Sequence, residues 1–173
     1  MKHTQSRQIF DAFNEHYLKD YFDEETGGFL VIHVKHGLNE VKGNKTIGLR
    51  LAKRGEQVIL LENDETKMSA DSTRNGVIWE FKTFQKAQNL RGAMQKTLRM
   101  GKKQSSNVLC FIDQPYKTSE IIGALYNVIK FDFKKELQTI AILFRSNELI
   151  EIRREEIIDE SFLSKFHQKT KGG

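Results

Sequence analysis

The chain has a single cysteine, Cys110, among its 173 residues, which excludes an internal disulfide. Cys110 lies in the apolar run Val108-Leu-Cys-Phe-Ile112, where a buried, reduced thiol is expected rather than a nucleophile. No apolar run approaches the ~18 residues that a membrane span needs. The start, Met1-Lys-His-Thr-Gln-Ser6, lacks the hydrophobic core of a secretion signal. A soluble, cytoplasmic chain with no membrane partner is therefore expected. No serine stands in a GxSxG context, and the pairs Gly27-Gly28 and Gly172-Gly173 do not form a phosphate-binding loop. Serine-hydrolase and nucleotide-cofactor chemistry fall away. Internal repeats, linkers and low-complexity segments are missing too.

What is present suits one catalytic domain. A hydrophobic content of 38% over 173 residues can bury one substantial core. The formal charge of +5 and pI near 9.2 favour a polyanionic partner. Ile9, Phe10, Phe13, Tyr17 and Tyr21 recur at threes and fours and predict a packing helix over residues 1–26. Residues 28–154 read as an α/β core. It begins with a strand at Phe29 to Val34, a helix from an Asn39 cap to a Gly55 stop, and a buried strand at Gln57 to Glu62. A helix from Gln85 to Lys103 follows, then a strand at Asn107 to Asp113 and a helical pattern through Ile121, Ile122, Leu125, Val128 and Ile129. Strands Thr139 to Arg145 and Glu148 to Arg153 flank a Ser146-Asn147 turn. Residues 155–173 complete the chain as a helix, Glu155 to Phe166, and a frayed tail. The economical architecture is a mixed central β-sheet flanked by helices. His33 and His36 straddle a strand end and are expected in structural or solvent-facing roles.

The chemistry gathers at Asp71-Ser-Thr-Arg-Asn-Gly-Val-Ile-Trp-Glu80-Phe-Lys82. Side chains alternate along a strand, so Glu80 and Lys82 share one face while Val77, Trp79 and Phe81 share the other. One face is expected to be buried and the other armed. The Asn75-Gly76 dipeptide signals a hairpin that returns Asp71 to the strand of Glu80. Two carboxylates and an ammonium on a rigid strand suit a divalent cation, with the lysine orienting a water or offsetting charge at a phosphate. The bland alternative is a solvated Glu80–Lys82 pair. In the segment that follows, Gln88, Arg91, Gln95 and Arg99 form a polar stripe suited to phosphate contacts, while Ala87, Leu90, Met94 and Leu98 form an apolar one.

The order acid, hairpin, ExK strand, helix resembles the PD-(D/E)xK phosphodiesterase superfamily. The run from Gly48-Leu-Arg-Leu-Ala-Lys-Arg-Gly55 through Val58-Ile-Leu-Leu-Glu62 to Trp79-Glu80-Phe81-Lys82 resembles the tRNA-nuclease domain at the C-terminus of CdiA-type contact-dependent inhibition toxins. Ala70 stands where the motif name has proline. The resemblance implies a restriction-endonuclease-like core. It also implies Mg²⁺ or Mn²⁺ held by Asp71, Glu80, an upstream acid for which Glu40 is the candidate, and the Phe81 carbonyl. Lys82 then acts on the attacking water or the transition state. The implied function is an endonuclease acting on RNA, tRNA first, with an acidic immunity protein as a partner. A DNA endonuclease of restriction or repair type, and a non-catalytic nucleic-acid-binding module, are the alternatives.

Overall fold

In the computed structural model, which describes residues 3–37, 40–63 and 69–167, the first helix stops well short of its expected end. Helix α1 covers Thr4–Asp11, and Tyr17–Phe22 is a strand, β1. Asn14 makes the break. Its side chain accepts from the His16 amide at 3.1 Å and its carbonyl accepts from Tyr17 at 3.0 Å, a local turn that competes with helical bonding. Tyr17–Phe22 then pairs antiparallel with β2, Phe29–His33, from Tyr17 opposite His33 to Phe22 opposite Phe29. The aromatic spacing that resembles a helix period is satisfied by packing instead. Phe10 of α1 packs with Phe22 and Phe29, and Phe13 packs with Phe29 and Tyr17.

The chain divides into two compact units between Phe81 and Lys82. In the first, helix α2, Val41–Ala52, links β2 to the parallel strand β3, Gln57–Leu60. The expected Asn39 cap lies outside the described residues. The Gly55 stop is present: at φ +90 it closes the helix, with its amide bonded to Ala52 O and that of Glu56 to Leu51 O. This is the Schellman pattern. Strand β4, Ser72–Arg74, lies antiparallel to β3, and β5, Val77–Phe84, lies antiparallel to β4. The sheet of this unit is thus mixed.

The second unit carries the larger core. Helix α3, Leu90–Gly101, begins five residues later than expected. Residues 85–89 are held off the helix because the Gln114 side chain takes both backbone groups of Ala87, at 2.8 and 2.9 Å. The Asn89 side chain then caps the helix through the Gly92 amide. Strand β6, Asn107–Ile112, runs through helix α4, Thr118–Lys130, into the parallel strand β7, Thr139–Phe144, and β8, Leu149–Arg153, returns antiparallel. Leu90, Met94 and Leu98 of α3 and Ile121, Leu125 and Val128 of α4 bury against β6, whose Cys110 is fully buried. The single C-terminal helix expected from Glu155 is two, α5, Arg154–Ile158, and α6, Leu163–His167. Glu160 at φ +65 separates them, next to a turn in which Asp159 accepts from the Ser161 amide. The expected tail, residues 168–173, lies outside the described residues. Among the described residues no helix is long and apolar enough to cross a membrane.

One buried charge cluster ties this second unit together. The Asp132 carboxylate accepts from Lys102 at 2.8 Å, Arg154 at 2.7 Å and the Leu137 amide at 2.9 Å. Burial alone pushes its pKa up, but bonds from Lys102, Leu137, Arg154 and Glu136 outweigh that and hold it at about 2. A carboxyl depressed from 3.8 to about 2 stabilises the fold fully above its ordinary value and loses that contribution as pH falls through about 2. Asp132→Asn is therefore expected to cost about 3 kcal/mol or more at neutral pH, because two cations lose their buried partner. Urea denaturation of both proteins from pH 7 downward checks this, and the gap should narrow as pH approaches 2.

Candidate metal-binding hairpin

Strands β4 and β5 meet through a two-residue turn in which Asn75 has φ +50 and Gly76 has φ +79. Two consecutive positive φ values are what a type I′ turn demands, and its twist matches paired strands. The register runs Arg74 opposite Val77, Thr73 opposite Ile78 and Ser72 opposite Trp79. Asp71 lies one residue before β4, where the ladder ends, and Glu80 follows Trp79 on β5. Asp71 is fixed there twice. Its Oδ2 accepts from the Phe81 amide at 3.0 Å, and its carbonyl accepts from the Leu61 amide at 2.9 Å.

Both acids are buried. Asp71 is 7% exposed and Glu80 0%. The expectation of one buried and one open face on β5 is corrected here, because Trp79, Glu80 and Phe81 are all buried in succession. The bland alternative of a solvated pair fails for the same reason, since a carboxylate withdrawn from water costs several kcal/mol unless its surroundings compensate. Trp79 is covered by Arg74, whose guanidinium lies 5.0 Å from the ring centroid and is itself bonded to Glu56. Sequence reading did not find this Arg74–Glu56 pair, which no local spacing signals.

Lys82 is half-buried in the second unit. Burial pushes the Cys110 thiol up to about 12, with the Lys82 ammonium pulling it the other way. The thiol is thus protonated at neutral pH, as its apolar run implies. Glu40 stands apart from its expected role. It is an exposed residue at the start of α2, while Asn44, Ile47 and Leu51 on that helix are buried. Among the described residues no three His, Cys, Asp or Glu side chains gather to hold a metal ion, so Glu40 does not join Asp71 and Glu80 in a three-acid cluster. Two carboxylates still suit Mg²⁺, which keeps several waters and takes one or two protein carboxylates.

Of the helix stripe, Gln88 is exposed and precedes α3, and Gln95 is half-buried on it. Arg91 and Arg99 reach across to α4. A Cβ at Gly123 would come within 3.0 Å of the Arg91 guanidinium carbon, and Arg99 donates to the Asn127 side chain at 2.6 Å. His36 is a buried structural residue. Its Nδ1 lies 2.6 Å from Leu61 O and its Nε2 lies 3.0 Å from the Asn44 amide nitrogen. The first contact fixes Nδ1 as the protonated nitrogen and leaves Nε2 to accept.

Residues 67–149 match the family model for the contact-dependent growth inhibition CdiA C-terminal domain. The matched stretch is just under half of the chain, takes in Asp71, Glu80, Lys82 and all of α3, and leaves out Glu40. Among solved structures the chain is similar to a chain of the CdiA-CT/CdiI toxin and immunity complex from Burkholderia pseudomallei. The two share 16% identity at a TM-score of 0.48, over 66% of this chain and 85% of that one. No curated protein matches it.

The hydrogen bond and the charge of Asp71 can be separated. Asp71→Asn keeps an acceptor for the Phe81 amide and is expected to change stability by less than about 1 kcal/mol. Asp71→Ala orphans that amide and should cost about 1–3 kcal/mol. Equilibrium urea unfolding of the two variants measures the difference.

Proposed function

We propose that this chain is a metal-dependent nuclease of the contact-dependent inhibition type, which hydrolyses phosphodiester bonds in RNA. The observation that supports the reading is that two acids, Asp71 just before β4 and Glu80 on β5, are both buried at one hairpin. It is supported by the family match over residues 67–149 and by the net charge of +5. Asp71, Glu80 and the Phe81 carbonyl hold Mg²⁺ or Mn²⁺. The bound cation supplies Lewis acidity toward the phosphate and an acidified water. Lys82, two residues beyond Glu80 on β5, orients the attacking water or offsets the negative charge that grows on the phosphate. Arg91, Gln95 and their neighbours meet the phosphate backbone, a positioning role that carries no sequence information. RNA is preferred over DNA because the matched family is one of growth-inhibition toxins, with tRNA as the first substrate to test. A partner that neutralises such a basic toxin is acidic on electrostatic grounds.

The purified protein is to be incubated with tRNA, ribosomal RNA, single-stranded DNA and plasmid, each with Mg²⁺, Mn²⁺ or chelator. Discrete RNA fragments that need the cation are the expected result. Cleavage of plasmid alone would move the reading to a DNA endonuclease. Lys82→Met is expected to lower the rate by ~10²-fold or more while leaving metal binding intact. Glu80→Gln should lose both cleavage and metal affinity, as read by titration calorimetry. A wild-type protein that binds nucleic acid but cuts none under any condition, with affinity indifferent to both substitutions, would replace the enzyme with a binding module.

A further inference from the structure

The segment Lys130-Phe-Asp-Phe-Lys-Lys135, which begins at the last residue of α4, turns two aromatic rings outward. Phe133 is 83% exposed and Phe131 49%. Their rings meet edge to face, 6.4 Å apart at 86°. Rings this open on a loose loop would fold back onto the nearest apolar surface. Here the residue between them is fixed. Asp132 is 2% exposed, and besides its carboxylate bonds its carbonyl accepts from Arg154 at 3.0 Å and from the Lys135 amide at 3.0 Å. The Phe-Asp-Phe sequence is thus anchored at its centre, with the rings exposed on either side.

The exposed charges of the segment are of one sign. Lys130, Lys134 and Lys135 are all exposed, and the Lys130 ammonium lies 5.6 Å from the Phe131 ring centroid. The acids of the same stretch are already engaged: Asp132 with Lys102 and Arg154, Glu136 with Lys102 at 2.8 Å. What faces outward is a pair of aromatic rings within a segment whose exposed charges are all lysines. An acidic peptide would match the lysines but leave Phe133 in water. A single-stranded nucleic acid matches both, because every unpaired base offers a π-face to stack and every linkage a phosphate. A duplex keeps its bases stacked inside and offers the ring nothing.

We infer that the Lys130–Lys135 loop is a docking site for unpaired nucleotides, in which one base stacks on Phe133, Phe131 braces that ring, and the lysines hold the adjoining phosphates. The inference goes beyond the nuclease reading and does not depend on cleavage, since it concerns binding alone. It is tested with the full chain in the presence of chelator, by fluorescence anisotropy with labelled oligouridylate, an RNA duplex of the same sequence length, and polyglutamate. Oligouridylate is expected to bind tightest. Phe133→Ala should weaken it roughly tenfold and Phe133→Trp should restore it, with duplex affinity unchanged by either. Lys134→Gln should lower the salt slope of binding by about 0.7, one phosphate contact on a single strand. Photocross-linking of an iodouracil-substituted strand should label residues 130–135. Unchanged oligouridylate affinity in Phe133→Ala, equal loss for single strand and duplex, polyglutamate binding as tight as oligouridylate, or labelling only elsewhere would each overturn the assignment. Because Phe133 is 83% exposed, its variants should keep the wild-type thermal melt, which separates lost binding from lost fold.

Discussion

The pairing of β4 with β5 is the constraint on which the candidate site depends. Strand side chains alternate, so a slip of one residue in that register would set a different face of β5 against β4. Two features prevent the slip. The Asn75-Gly76 turn admits only one geometry, with both residues at positive φ, and the Asp71 carboxylate is bonded to the Phe81 amide directly beyond Glu80. The acid is therefore both a member of the candidate site and the latch that sets the register of the site. A charge placed in a buried position for packing alone would be displaced readily by an apolar residue of similar size. Asp71 resists that argument, since its carboxylate meets a backbone amide that an apolar side chain cannot serve.

What could be read from the sequence was what local rules decide. Asn75-Gly76 announced its hairpin because few dipeptides tolerate two left-handed residues, and Gly55 announced the end of α2 for the same reason. The apolar stripes of α3 and α4 were legible because helical period and burial coincide there. The misreadings have a common origin in side chains that capture backbone groups. Asn14 ended α1 early, Gln114 kept residues 85–89 from joining α3, and Asp159 divided the C-terminal helix from its continuation. Gln114 acts from well along the chain, so no window around residue 87 contains the signal. Asn14 and Asp159 act locally, but polar residues inside an apolar period read as the solvent face of a helix.

The candidate site shows the same division. The hairpin between Asp71 and Glu80 was legible from its turn dipeptide, whereas the burial of Glu80 was not, because alternation specifies which side a residue faces and says nothing of what covers that side. Glu40 shared a helical period with Asn44, Ile47 and Leu51, yet it falls at the first turn, where the period no longer governs what a side chain meets. Arg91 and Arg99 lie on one face of α3, whereas Gln88, read with them, precedes the helix. That the stripe runs over Gly123 and beside Asn127 depends on α4 packing against α3, which only the tertiary structure supplies.

Cys110 carries a consequence of a different kind. As the chain's one thiol, fully buried and protonated at neutral pH, it can neither cross-link the fold nor readily exchange with a disulfide outside it. Nothing covalent records the native state. Unfolding and refolding therefore break and re-form no disulfide, and the redox potential of the surroundings does not enter that balance.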